Sequence, residues 1–192
     1  MAHTLSDFKA ALRGGGARPN LFEVTLTSLP SGVEVTENFS LLCKAAALPA
    51  SNVSPIDVPF RGRTFKVAGD RTYDPWTITV INDTGFEIRK AMEKWMQIIA
   101  QYGDASGATD PNSYMATAEV KQLTRKESSG GATGNSLDTA ATYKFVDVFP
   151  TAISQIDLSF DTSDTIEEFT VEFQVQYWEP TNGSGTASGN AT

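Results

Sequence analysis

Gly62-Arg-Thr-Phe-Lys-Val-Ala-Gly-Asp-Arg-Thr-Tyr-Asp-Pro-Trp-Thr-Ile-Thr-Val-Ile-Asn-Asp83 decides the fold class of this chain. It reads as a polar strand, a turn at Gly69 and Asp70, a loop fixed by Pro75, and a strong strand over residues 76–81. Downstream, residues 85–102 form the one convincing long helix. Ile88, Ala91, Met92, Trp95, Ile98, Ile99 and Tyr102 recur at helical spacing, and Asp83 or Thr84 can cap it. That stripe reads as core, because no polar residue shares the face with Met92 and Trp95.

Upstream, residues 21–27 alternate Phe22, Val24 and Leu26 with Glu23, Thr25 and Thr27, the period of a half-buried strand. Residues 39–45 alternate in the same way, with Leu42 breaking the polar row. Residues 46–61 carry Pro49, Pro55 and Pro59, spaced too closely for an interior strand, and read as a long excursion off the sheet. Residues 5–13 form a short amphipathic helix with Leu5, Phe8 and Leu12 on one side, Ser6 as its cap and Gly14-Gly-Gly16 as its stop.

In the last third, residues 115–123 and 143–149 are strands. Ile156, Leu158 and Phe160 alternate with Asp157, Ser159 and Asp161 as another. Residues 125–139 read as a flexible Gly/Ser-rich stretch forming a long hairpin tip. The cleanest alternation comes last: Phe169, Val171, Phe173, Val175 and Tyr177 face one way, and Glu168, Thr170, Glu172, Gln174 and Gln176 the other. The expected fold is therefore mainly β: two packed antiparallel sheets, a sandwich or partial barrel, with one long amphipathic helix and a short N-terminal one. A single domain spans residues 1–179, with 1–20 as an N-terminal arm and 180–192 as a flexible Gly/Ser-rich tail.

Composition narrows the function. A formal charge of −8, with 23 acids against 15 bases, argues against a protein that grips nucleic acid, because phosphate binding needs clustered Lys and Arg. No apolar run approaches the roughly 20 residues of a membrane-spanning helix, and the opening residues do not read as a secretory signal. Cys43 is the single cysteine, so no internal disulfide forms, and its apolar neighbours make it a buried small side chain. His3 is the single histidine, which leaves neither a Ser-His-Asp arrangement nor a zinc site within reach. Asp161, Asp164, Glu167, Glu168 and Glu172 crowd one region, yet Ile166 stands where a calcium loop requires glycine. They read as solvated acids. No cofactor, metal or catalytic residue is expected.

Several blocks in chain order resemble the tail tube protein family of contractile-tailed bacteriophages. They are Ala17-Arg-Pro-Asn-Leu-Phe-Glu-Val24, Cys43-Lys-Ala-Ala-Ala-Leu-Pro-Ala-Ser51, the 62–83 stretch running into the helix, and Thr165-Ile-Glu-Glu-Phe-Thr-Val-Glu-Phe-Gln-Val-Gln-Tyr-Trp-Glu179. The resemblance implies a structural virion protein without enzymatic activity. It implies hexameric rings stacked into a hollow tube inside a contractile sheath, as a conduit for the genome. Its partners would be itself and the sheath, baseplate and tail-terminator proteins, with DNA passing through unbound, and no insertion into membrane. Its place would be the virion tail, after assembly in the host bacterial cytoplasm. The departures from the family fall at residues 29–38, 126–136 and beyond Trp178.

Three alternatives stay open from sequence: a tube protein of a contractile injection or type VI secretion system, a carboxylate-dependent hydrolase, and a monomeric binding module. Under the tube reading, Glu168, Thr170, Glu172, Gln174 and Gln176 face the lumen, joined by Asp157 and Ser159. Phe8, Arg18, Asn20, Arg61, Arg63, Asp70 and Arg71 make the contacts between subunits and between rings.

Overall fold

The computed structural model describes residues 4–12, 16–36, 38–104, 106–125, 137–161 and 163–181. The expected mainly β architecture is present. Its elements are α1 (Leu5–Ala11), β1 (Phe22–Thr27), α2 (Phe39–Leu42), β2 (Cys43–Ala46), β3 (Ser51–Phe60), β4 (Arg63–Tyr73) and β5 (Trp76–Ile81). They continue with α3 (Glu87–Ile99), β6 (Ala116–Arg125), β7 (Leu137–Ile153), β8 (Glu168–Gln174) and β9 (Tyr177–Thr181).

Seven strands join along one hydrogen-bonded path, β1-β6-β7-β8-β5-β2, with β9 also on β7; β3 and β4 pair only with each other. All pairings are antiparallel. The long strand β7 belongs to both halves of the path. Its first half lies between β6 and β9, and its second half pairs with β8. β8 and β9 continue the same register along β7, since Phe149 faces Gln174 and Val146 faces Tyr177. They part at Asp147, whose φ of 56° places it in the left-handed region and breaks the ladder.

The two halves close on a shared core. Trp76 of β5 stacks on Phe145 of β7 with centroids 4.9 Å apart and lies 5.2 Å from its strand partner Phe173. The path does not close into a barrel, because β1 and β2 remain unpaired with each other. Phe39 of α2, buried beside Val24 and Cys43, belongs to the core beside this seam. The long helix lies on the core side of β8: Trp95 is 5.8 Å from Phe173, and the Arg89 guanidinium sits 5.4 Å from the Phe169 ring. The Trp95 indole N–H donates to the Tyr114 carbonyl at 2.6 Å. The helix cap is Phe86, in the left-handed region and without a side-chain cap, not the expected Asp83 or Thr84; Asp83, three residues before it, accepts from the Glu87 amide at 3.1 Å.

Five local expectations are corrected. Residues 39–42 are helical, not strand, because the Asn38 carbonyl accepts from the amides of both Leu41 and Leu42. Leu42, the residue that broke the alternation, marks the end of that turn. The proline-rich excursion is a regular hairpin, β3–β4, in which Pro55 and Pro59 are tolerated because β3 has a partner on one side only. Its turn is at Arg61 and Gly62, both with positive φ, whereas Gly69 and Asp70 lie within β4. The cap of α1 is Thr4, not Ser6, in a reciprocal box with Asp7. Residues 156–160 are not a strand: Leu158 and Phe160 stand exposed in the connection from β7 to β8.

Among the helical stripe residues, Tyr102 lies beyond the helix and is exposed. The final alternation holds through Gln176, but Tyr177 turns outward after the break. β9 carries the paired chain to Thr181, and the expected tail beyond it lies outside the described residues. Of the expected 125–139 tip, residues 126–136 lie outside them too, whereas Arg125 and residues 137–139 are paired strand of β6 and β7.

Candidate assembly surfaces

The first surface is the outward row of β8. Its alternate residues Phe169, Val171 and Phe173 are buried, whereas Glu168 and Glu172 are exposed and Thr170 and Gln174 half-buried. Gln176 follows, exposed. Across the ladder, Thr170 faces Thr79 and Glu172 faces Thr77, so the polar row extends onto β5. One base joins it: the Lys44 ammonium of β2 donates to Glu168 at 2.6 Å. The row read from the sequence did not include this lysine. Asp157 and Ser159, expected beside the row, lie instead in the 154–167 connection, outside any strand.

The second surface is the β3–β4 arm. Direct antiparallel partners share a face, and Ile56 faces Val67 while Val58 faces Phe65. With Phe60 they make a continuous apolar face. Every one of these five side chains is exposed, Phe60 and Phe65 at 66% each. The opposite face is polar, with Lys66 donating to Asp57 at 2.9 Å. A two-stranded hairpin is marginal in water without a surface to pack against. Only the root of the arm has one: Tyr73 meets the Trp178 ring edge-on at 6.1 Å.

Four of the charged residues expected at contacts map onto this arm. Arg61 and Arg63 flank its tip, the Arg61 guanidinium 5.5 Å from the Phe60 ring. Asp70 and Arg71 lie near its root, and all four are exposed. The apolar face itself was not among the expected contacts. Its signal, Ile56, Val58 and Phe60 in alternation, is present in the sequence but interrupted by prolines.

The third surface is α1. None of its residues is buried, and Leu5, Phe8 and Leu12 are 69%, 62% and 48% exposed. Arg18 and Asn20 are exposed on the segment leading to β1. There the Arg18 carbonyl accepts from the Gln122 amide nitrogen at 2.7 Å.

Among the described residues, no group of three or more His, Cys, Asp or Glu side chains is placed to hold a metal ion. Cys43 is buried, and loss of solvation pushes its thiol up to about 12, far from a nucleophile's range.

An open sheet path, an exposed apolar hairpin and an exposed amphipathic helix are the features that set this β fold apart among the described residues. The chain belongs to the phage tail tube protein family, whose model matches residues 17–181. It is 35% identical over 169 residues to the tail tube protein gp19 of Enterobacteria phage T4, covering 86% of this chain and 93% of that one. The tail tube protein of Serratia phage KSP90 is 24% identical over 175 residues, with 89% and 93% covered. Among solved structures, a chain of the sheath–tube complex of an extracellular contractile injection system, PVC, in its extended state shares the fold. Its TM-score is 0.59 at 12% identity, over 94% of this chain and 99% of that one. A chain of the tube-terminating cap of the anti-feeding prophage gives 0.57 at 16% identity, over 86% and 91%.

Proposed function

We propose that this chain is the structural subunit of a contractile phage's inner tail tube, in which hexameric rings stack into a hollow conduit for the genome. Its role is assembly, not catalysis. The observation that carries the reading is the β3–β4 arm, with five apolar side chains exposed on one face of a two-stranded hairpin. Burying a Phe, Val or Ile side chain against a neighbour contributes about 1.5–3 kcal/mol before the costs of association. A neighbouring copy supplies that surface, with Arg61, Arg63, Asp70 and Arg71 pairing across the contact. Closing identical copies into a ring also covers the free edges of β1 and β2.

In the ring, the outward row of Glu168, Thr170, Glu172, Gln174 and Gln176 lines the channel. Repetition around the ring multiplies each carboxylate, and a narrow channel focuses the field, so DNA phosphate is repelled and slides. Lys44 is held by Glu168, which keeps its charge from acting alone on the passing strand. The sheath encloses the tube, and baseplate and terminator proteins meet its ends. Assembly takes place in the host cytoplasm and the product resides in the virion tail. The sequence relatives are phage proteins, which favours this reading over a tube protein of an injection system.

The test is sedimentation of the purified chain beside a Phe60→Asp, Phe65→Asp variant. The native chain should form large hollow particles. The variant, altered only at exposed positions, should stay monomeric with an unchanged circular dichroism spectrum. A variant that assembles as the native chain does would remove the arm from the account.

A further inference from the structure

The connection from β7 to β8 forms an open groove of about 620 Å³, lined by residues 155–160 and 165–168. That volume is within the range of built binding sites, about 300–1,000 Å³. Leu158, Phe160 and Ile166 stand exposed along it, an apolar cluster that no contact within the described chain covers. The same segment is acidic: Asp157, Asp161, Asp164 and Glu167 fall within it beside Glu168, which Lys44 pairs, and residues 154–168 hold no Lys or Arg.

The N-terminal arm is complementary in both respects. Leu5 and Phe8 of α1 and Leu12 at its C-cap, spaced by three and four residues, are exposed on one side of it. The helix is already organised, because the Asp7 carboxylate accepts from the Thr4 amide at 2.9 Å while the Thr4 hydroxyl accepts from the Asp7 amide. Less ordering entropy is therefore lost when it docks. In a chain of net charge −8, residues 1–20 carry Lys9, Arg13 and Arg18 against Asp7 alone.

We propose that α1 of one copy seats its Leu5, Phe8 and Leu12 side chains in the 154–168 groove of a second copy. The inference rests on the tube reading and adds to it the surface that receives the arm. The contact is intermolecular and head-to-tail in this proposal, because α1 is unburied on its own chain and its root lies towards the far end of β7 from the groove. The arm joins the fold at Phe22, which faces Gln122, itself opposite Ala141 of β7. The groove opens beyond Ile153, at the other end of that strand. At about 3.3 Å per residue, up to about 40 Å of β7 separates root and groove, less where Asp147 bends the strand. One copy stacked end to end on another brings arm and groove together. A head-to-tail contact of this kind propagates, so it stacks rings without limiting their number.

The experiment uses the full-length chain carrying Phe8→Cys and Phe160→Cys together; Cys43 stays buried. Assembled protein is treated with a short bismaleimide, run on a denaturing gel, and viewed in parallel by negative-stain microscopy. The expected result is a ladder of covalent multimers extending beyond the dimer, and loss of that ladder when either cysteine is omitted. Tubes seen by microscopy with no ladder, or with only internally cross-linked monomer, would overturn the groove assignment and leave the tube reading intact. Absence of tubes from the unsubstituted chain would overturn both. As a second arm, Leu158→Asp with Phe160→Asp should abolish stacked tubes while a ring-sized species persists in sedimentation. Stacked tubes from that variant would also overturn the assignment.

Discussion

Gly69 of β4 lies so close to Ser54 of β3 that a Cβ on it would stand 2.6 Å from the Ser54 carbonyl oxygen. The ladder shifts register there, between Val53 and Pro55. Glycine is thus required by close backbone approach at a bulge, not by a turn.

Gly69→Val should therefore push the two strands of the arm apart. Overpacking of this kind costs about 1–3 kcal/mol. That cost falls on the arm, so the thermal midpoint of the monomer should change little while tube yield drops sharply. Differential scanning calorimetry and pelleting of the same sample check both halves of the expectation.

Trp76 is the opposite case. It is fully buried against Phe145 and Phe173 and joins the two halves of the sheet path. Trp76→Ala should destabilise the whole domain by about 3–5 kcal/mol. Denaturant unfolding followed by circular dichroism measures it, and a loss below about 1 kcal/mol would contradict the described core.

Cys43 gives a pH dependence with a definite sign. Burial raises its folded-state pKa from 9.0 to about 12, so the thiol stays protonated when folded while the unfolded chain ionises above 9.0. Its contribution is complete below pH 9 and is lost as pH rises towards 12. The slope approaches about 1.4 kcal/mol per pH unit in that window. Comparing the unfolding free energy of the native chain and Cys43→Ala at pH 8 and pH 10.5 isolates it: the native chain should lose more.

The contact residues read from sequence are tested by removing residues 1–16 and, separately, by reversing the charges of Arg63 and Arg71. Both arginines are exposed on the arm. Each variant should remain folded by circular dichroism and fail to form tubes in negative stain. Tubes from both variants would show that these segments are not the interface.

Legibility in the sequence followed burial. Residues 76–81, 87–99 and 168–174 each bury one face, so their periods of two and 3.6 mark them plainly. Where no face is buried within the chain, the signal fails. The β3–β4 arm carries a strand pattern at Ile56, Val58 and Phe60, but prolines that forbid an interior strand are harmless in a pair with two free edges. The turn was misplaced because Gly69-Asp70 resembles a turn chemically, while Arg61, a poor turn residue, holds the positive φ at the tip. Phe39–Leu42 is too short for helical periodicity to register against an alternation that runs on to residue 45. The polar row of β8 was fully legible as a row, but its neighbour Lys44 comes from a strand 124 residues away and only pairing reveals it. The groove of Leu158, Phe160 and Ile166 had no sequence signature beyond an alternation that suggested a strand.

The most direct test of the account is a cryo-electron microscopy map of the assembled protein. The account predicts six-fold rings stacked into a hollow tube, with Glu172 and Gln174 facing the channel and the β3–β4 arm of each subunit buried against a neighbouring copy. A map with Glu172 on the outer wall, or a purified chain that remains monomeric at every concentration, would contradict it.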